Sequence, residues 1–488
     1  MTALLRVLTA VHLASLLGLV LYGVHRLWLL AARRGAPKCP AFEPLPPDGD
    51  LPSVTVQLPI YNERFVAARL VDAAASLDWP RDRLEVQVLD DSTDDASSIV
   101  DERAAHWRAR GVDVTVVRRA GRAGYKAGAL AHGLERARGE LVAVFDADFV
   151  PDPDFLRRTV PPFRDSRVGM VQARWGFLNE ESSWLTRVQA LLLGPHFRIE
   201  HRVRFLRGLF FNFNGTAGVW RRAAIEGAGG WQADTVTEDL DLSYRAQLEG
   251  WRFVYLDDVV VPSELPATLG SFRAQQRRWA KGSVQTARKI LPRLLRSGLP
   301  AAVKAEAAFH LLANVGWLLG TLVTLTLYPT VLWRVGVGPY ELLRLDVPLL
   351  AGSSGAILLY FAVYARSCAG RALVRWVPLL PVVAIGLAPS VALGVVEGAF
   401  ARGGAFVRTP KFGVRGRQRL PRLASLYAGS TVPFALLNGA LFAYALLPAA
   451  FAWRRGSWLA LPFSLLFASG FLVAWVSDLR GALGSPKA

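Results

Sequence analysis

Asp146-Ala147-Asp148 closes the apolar run Glu140–Phe145 and offers two carboxylates two residues apart. Leaving a strand, such a pair can hold a hard divalent cation with open positions. Mg²⁺ typically keeps one or two carboxylates and takes its other ligands from phosphate oxygens and water. Surface turns produce D-x-D often, so the pair gains meaning only from its company. Thr237-Glu238-Asp239 precedes the amphipathic stretch Leu240–Leu248. A purely structural reading makes Thr237 the cap of that helix, with the acids favoured by its dipole. Thirty-six residues after Asp239 stands Gln275-Gln276-Arg277-Arg278-Trp279, within a stretch from Ala267 to Ala305 that holds no acid. A basic amphipathic helix on anionic lipid accounts for Arg288–Arg296, but only in part for residues 275–279.

The elements that must position these groups alternate. Val54–Pro59 reads as a strand and Glu63–Leu77 as a helix; Glu85–Leu89, Ala96–Arg110, Val112–Val117, Ala127–Ala137 and Glu140–Phe145 continue the alternation. Short β-rich runs separated by helices predict a doubly wound α/β domain, in which ligands bind at the carboxyl ends of strands. The polar clusters fall at those ends: Pro59-Ile60-Tyr61-Asn62-Glu63 after the first strand, Asp90-Asp91-Ser92-Thr93 after the second and Asp146-Ala147-Asp148 after the fourth. Neither G-x-G-x-x-G nor G-x-x-x-x-G-K-S/T occurs, which argues against a dinucleotide fold and a P-loop. His132, His196 and His201 show no ligand spacing and are read as structural.

The 488 residues carry a net charge of +18, yet 52% are hydrophobic. With 15 Trp and 25 Phe the chain is not disordered, and with Cys39 and Cys368 alone it is no disulfide scaffold. The positive charge lies beside apolar runs, which indicates membrane topology rather than nucleic-acid binding. A span needs about 20 apolar residues, and Val7–Leu30, Phe309–Trp333, Val347–Ala365, Ala424–Ala450 and Ser457–Ser477 qualify. The first reads as an uncleaved anchor (residues 1–34), followed by a Pro-rich linker (35–52). Trp376–Phe400 is apolar but contains Pro378, Pro381 and Pro389. Both flanks are basic: Arg366–Arg375 has three Arg, and Ala401–Arg422 has seven Lys/Arg and no acid. Cytoplasmic flanks on both sides predict a re-entrant or interfacial segment at 376–400, hence five spans with the N-terminus outside and the C-terminus inside. Six true spans are the alternative. The expected divisions are a catalytic domain at 53–282, an interfacial amphipathic helix at 283–305 and a transmembrane bundle at 306–488.

The set P-I-Y-N-E (59–63), L-D-D-S-T-D (89–94), Y-K-A-G-A-L (125–130), D-A-D (146–148), F-N-G-T-A-G (213–218), T-E-D (237–239), Q-Q-R-R-W (275–279) and F-V-R-T-P-K (406–411) resembles the family-2 glycosyltransferases. Within them it resembles the cellulose-synthase-like membrane enzymes, specifically the glucomannan or mannan synthase branch. The motifs come in the right order and cover about residues 53 to 411. Cellulose synthases carry more than one N-terminal span, and this departure favours the mannan-like branch. The resemblance implies an α/β GT-A fold (a nucleotide-diphospho-sugar transferase) facing the cytoplasm, joined to an α-helical transmembrane domain. It implies that Tyr61, Glu63, Asp90 and Asp91 hold the nucleoside and that Lys126 and Arg278 meet the diphosphate. Asp148, helped by Asp146, would bind Mg²⁺ or Mn²⁺. Asp239 would be the catalytic base, with Glu238 beside it. Gln275, Trp279 and Asn214 would hold the acceptor, and Phe406, Arg408, Thr409 and Lys411 would form a loop closing over the donor. Trp175, Arg174 and Asn179 also match the branch, although burial explains them equally well.

The implied chemistry is self-consistent. A sugar hydroxyl is a poor nucleophile and needs a carboxylate within hydrogen-bond reach. The departing nucleotide diphosphate gains charge that a divalent ion, Lys126 and Arg278 can stabilise. An indole such as Trp279 can cover the apolar face of a pyranose. A single strong base candidate suits in-line displacement with inversion; retention through a covalent intermediate is the alternative. The expected function is processive transfer of hexose from GDP-mannose or UDP-glucose to a β-linked polysaccharide, coupled to its translocation across the bilayer. A single transfer to ceramide or diacylglycerol is the alternative, since such lipid glycosyltransferases share D-x-D and Q-x-x-R-W. An inactive scaffold or transporter is a third.

Overall fold

The computed structural model describes residues 2–334, 344, 348–405, 408–418, 432–456, 458 and 461–484. Among these residues seven strands form one sheet: β1 (Val54–Ile60), β2 (Leu84–Asp90), β3 (Asp113–Val117), β4 (Leu141–Val144), β5 (Val168–Phe177), β6 (Gly218–Arg221) and β7 (Arg252–Ser263). Their order is β3-β2-β1-β4-β6-β5-β7. The first four pair in parallel, as the alternation of strand and helix predicts. The sheet is mixed rather than parallel throughout, because β6 runs antiparallel to both β4 and β5. β2 and β4 are buried along their whole length, the pattern of strands covered on both faces. Two apolar clusters occupy those faces, one built around Val56, Val86 and Phe145, the other around Val144, Trp220 and Leu242.

Register sets the site. Ile60 lies opposite Asp90, and Gln57 pairs with both Gln87 and Val144, so the chain leaves β1, β2 and β4 at one edge of the sheet. The antiparallel pairing of β6 brings its leading residues to the same edge. There the Ala217 amide donates to the Val144 carbonyl at 2.8 Å and the Asp146 amide to Thr216 Oγ1 at 2.9 Å. Among the described residues three non-glycines have positive φ: Asn62, Tyr125 and Ala217. All three flank this edge. Such left-handed backbone is disfavoured for side chains bearing a Cβ and clusters at functional sites.

The Gln275–Trp279 motif lies in a helix running Leu269–Arg296, capped by Thr268, whose hydroxyl accepts from the Ser271 amide at 3.2 Å. The interfacial helix expected at 283–305 is therefore not a separate element. It continues the motif's own helix, which stops at Ser297–Pro300 before a new helix, Ala301–Leu311. Gly282 does not break it, because the helix is pressed against Thr237 at that point: a Cβ there would lie 2.4 Å from Thr237 Cγ2.

Among the described residues five helices are long and apolar enough to cross a membrane: Ala3–Arg34, Pro348–Ala369, Leu379–Phe400, Val432–Arg454 and Leu461–Ala482. The pair Ala301–Leu311 and Val315–Val331, bent by 56°, would make a sixth. Leu379–Phe400 is one continuous helix despite its prolines. Pro378 precedes it and Pro381 falls in its first turn, where the missing N–H costs nothing. The polypeptide on each side of it touches the sheet domain. At its start Arg187 lies over the Trp376 ring at 5.3 Å, and beyond its end the Gly403 amide donates to the Asp234 carbonyl at 2.7 Å. Phe406 and residues 419–431 lie outside the described residues.

Candidate active site

One cleft at the carboxyl edge of the sheet gathers groups that are far apart in sequence. Tyr61, Glu63, Asp91, Lys126, Asp146, Asp148, Asn214, Glu238, Asp239, Gln275, Arg278, Trp279, Arg408, Thr409 and Lys411 all line it. Asp90 does not. Successive side chains of a strand point to opposite faces, and Asp90 is buried on the side away from the cleft. Its carboxylate accepts from Arg118 Nε at 2.9 Å and the Ser92 amide at 3.0 Å. Asp91 faces the cleft and accepts two bonds from Arg119, at 2.9 and 2.6 Å. Arg119 in turn donates to the Ala123 and Tyr125 carbonyls, which fixes the turn that leads into Lys126.

Lys126 is the hub. Its ammonium lies 2.5 Å from Asp146 Oδ1, 3.8 Å from Glu238 Oε1 and 2.9 Å from the Gly215 carbonyl. Burial opposes its charge, but Asp146 and Glu238 outweigh burial and hold it above the usual lysine range. Gly215, at φ +80°, makes room for the meeting: a Cβ there would sit 3.0 Å from Asp239 Oδ2 and 3.3 Å from Lys126 Nζ. Burial, with a further push from Glu238, raises the Asp239 carboxyl to about 7 against the pull of Lys126. That is where a general base serves best at neutral pH. Thr237 makes no side-chain cap on the helix Glu238–Leu248; its hydroxyl meets that of Thr286 at 3.3 Å instead. Gln275, Arg278 and Trp279, spaced i, i+3 and i+4, share one helix face and present it to the cleft.

Asn214 is held from three sides. His196 Nε2 meets its Oδ1 at 2.9 Å, His201 Nε2 meets its Nδ2 at 3.0 Å, and its backbone N–H donates to Gln172 Oε1 at 2.9 Å. Both histidines, read from sequence as structural, thus meet a cleft residue. Trp175 lines the cleft. Arg174 instead pairs with Asp257 at 3.3 Å, and Asn179 exchanges two bonds with the Leu265 backbone.

The segment 408–413 closes the cleft. Arg408 Nη1 lies 3.0 Å from Glu63 Oε2, and burial outweighs that guanidinium to push the Glu63 carboxyl up to about 8. Lys411 Nζ donates to Asp148 Oδ2 at 2.7 Å and to the Glu264 carbonyl at 2.6 Å. The Glu264 carboxylate accepts from the consecutive amides of Phe412 and Gly413, both at 2.9 Å, while its own amide donates to Asp148 Oδ2 at 3.0 Å. With the segment in place the cleft holds about 170 Å³, against about 300–1,000 Å³ for typical ligand pockets. Glu264 had no motif to announce it. Arg122, whose guanidinium lies 3.2 Å from the Tyr61 ring centre, was visible only as part of the basic run Arg118–Arg122.

Asp146 and Asp148 both line the cleft and could offer a divalent ion two carboxylates, the share suited to an ion that takes its other ligands from phosphate oxygens. Among the described residues no group of three or more His, Cys, Asp or Glu could hold a metal. Asp148 is buried, and the Lys411 ammonium already stands on it as a cation.

Residues 52–282 match the model of the family described as Glycosyltransferase like family 2. Over 266 residues the chain is 46% identical to glucomannan 4-beta-mannosyltransferase 2 of Arabidopsis thaliana, an alignment covering 52% of this chain and 50% of that protein. It is 47% identical over 266 residues to glucomannan 4-beta-mannosyltransferase 1 of Oryza sativa subsp. japonica, covering 52% and 51%. The chain spans about half the length of these curated relatives. Among solved structures, a mannosyltransferase from Pyrobaculum calidifontis in complex with GDP-Man and Mn²⁺ superposes with a TM-score of 0.53 at 22% identity, covering 82% of this chain and 98% of that one. That likeness is one of fold.

Proposed function

Since residues 52–282 match the model of the family described as Glycosyltransferase like family 2, we propose that the chain is an inverting, membrane-embedded hexosyltransferase that extends a β-linked mannan or glucomannan from a nucleotide sugar. GDP-mannose is the favoured donor, because the relatives are named as glucomannan mannosyltransferases. One observation carries the reading: Lys126, Asp239 and Trp279 border a single cleft, bringing together a cation for the leaving diphosphate, a base and a sugar-stacking ring.

In this proposal the donor enters with Tyr61, Glu63 and Asp91 at its nucleoside and Lys126 and Arg278 at its diphosphate. Asp148 and Asp146 would hold Mg²⁺ or Mn²⁺, which when bound supplies Lewis-acid stabilisation of the diphosphate's charge. Gln275, Trp279 and Asn214 orient the acceptor's terminal sugar. Asp239 takes the proton of the acceptor hydroxyl as it attacks the anomeric carbon. Glu238 keeps Lys126 charged and Asp239 basic. Arg408, Thr409 and Lys411 exclude water over the donor. The sheet domain lies in the cytoplasm, and the helix Leu379–Phe400 lies along its membrane face rather than crossing, which accounts for the sheet-domain contacts on both sides of it.

The test uses the purified full chain with GDP-mannose or UDP-glucose, Mn²⁺ or Mg²⁺ and a short β-linked acceptor, followed by product sizing and linkage analysis. Long polymer sensitive to a β-mannanase is expected. Organic-extractable monoglycosylated lipid as the sole product would refute processive synthesis.

A further inference from the structure

A second cavity of about 790 Å³ opens outside the catalytic cleft, where the helix Thr2–Arg34 enters the sheet domain beside the helix Ala356–Tyr364. Its lining has two chemistries. Leu27, Leu30, Leu359 and Val363 form an apolar wall. Leu27 and Leu359 are 36% and 53% exposed, so the wall runs on into the outer surface of two candidate spans. At the sheet-domain end stand Arg33, Arg34, Arg198 and Arg202.

The one acid among the described residues of the lining, Asp257, is shared among Arg202 at 3.3 Å, Arg198 at 3.8 Å and, from behind, Arg174 at 3.3 Å. The cavity therefore keeps a surplus of positive charge. Arg33 is steadied by Ser367 Oγ at 3.3 Å and Arg198 by the Cys368 carbonyl at 2.5 Å, so two of the cations are pre-positioned. Trp28, 42% exposed beside Leu27, has the amphipathic character of residues at the headgroup level.

We propose that this cavity binds an anionic glycerophospholipid, its phosphate among the four arginines and its acyl chains along the leucine wall. A soluble anion would leave the wall unused, and a zwitterionic lipid would leave the charge surplus uncompensated. Basic pockets between membrane helices suit anionic headgroups for this reason. The inference is independent of the catalytic proposal, since none of these residues lines the catalytic cleft.

The experiment is native mass spectrometry of the detergent-purified full chain titrated with phosphatidylglycerol, phosphatidylcholine or inorganic phosphate. Phosphatidylglycerol is expected to be retained preferentially, and Arg34→Gln and Arg202→Gln each to weaken retention about fivefold. Val363→Trp keeps every arginine but puts an indole in place of part of the apolar wall, and it is expected to weaken preferential retention several-fold. Equal retention of the two lipids, or full retention by Val363→Trp, would reduce the cavity to general basic attraction and overturn the proposal. Saturation by inorganic phosphate at the same concentration would make it a soluble-anion site and overturn it too.

Discussion

Burial and the neighbouring Glu238 hold Asp239 near neutrality, so its protonation is expected to set the acidic limb of activity. A base must be unprotonated to act, so kcat/KM is expected to rise with pH through about 7. A rate profile at saturating metal measures this, and a flat profile between pH 6 and pH 8 would remove Asp239 from the role. Asp239→Asn is expected to lower turnover by at least about 10²-fold while donor affinity, read by calorimetry, stays within a few-fold. Trp279→Ala is expected to stop elongation while slow donor hydrolysis continues; an equal loss of donor affinity would place the indole at the nucleotide instead. At this scale the sequence was informative about residue type but not about direction. Asp90 and Asp91 are adjacent and chemically identical, and only the pleat decides that one faces the cleft while the other pins Arg118.

Elements were easier to foresee where the signal is local. β1 to β4 show themselves as short apolar runs, and the polar clusters at their ends needed only the rule that parallel strands deliver their carboxyl ends to one edge. What closes that edge comes from over a hundred residues away. The 408–413 segment is fastened by Glu264 through paired backbone bonds, and no periodicity or spacing reports a carboxylate that binds backbone. Glu264→Ala is expected to release the segment at a local cost of about 1–3 kcal/mol. Limited trypsin digestion would then show several-fold faster cutting after Lys411, with the sheet domain still intact. Unchanged cutting would mean that Lys411 on Asp148 holds the segment alone. Gly282 gives a second prediction, because Ala there would collide with Thr237. Gly282→Ala is expected to cost about 1–3 kcal/mol of stability and to displace the start of the Glu238–Leu248 helix, so activity is expected to fall further than stability explains.

The molecule as a whole is tied together by charge buried where the sheet domain meets the long helices. Arg273, on the helix that carries Trp279, forms two 2.8 Å bonds with Asp478, which also accepts from Asn438 at 2.8 Å. On the opposite flank Glu306 joins Arg204 at 2.9 Å and His25 at 2.7 Å. Removing one member of a buried pair costs about 3–5 kcal/mol, whereas replacing both with apolar residues is often neutral. Asp478→Leu is accordingly expected to lower the unfolding temperature of the solubilised protein sharply, and Arg273→Leu with Asp478→Leu to recover most of the loss. These pairings could not be read from sequence, since an isolated Asp in an apolar run says nothing of its partner.

The helix Leu379–Phe400 bears on Arg277 and Lys281 through Gly394 and Gly398, whose Cβ positions would fall 2.5 Å from those carbonyls, and the polypeptide beyond it becomes the closing segment. On the proposed reading, the segment over the donor and the helix face that holds the acceptor are therefore joined through that helix. Thermodynamic reciprocity then requires that whatever factor a saturating oligosaccharide contributes to nucleotide affinity, the nucleotide returns unchanged to the oligosaccharide.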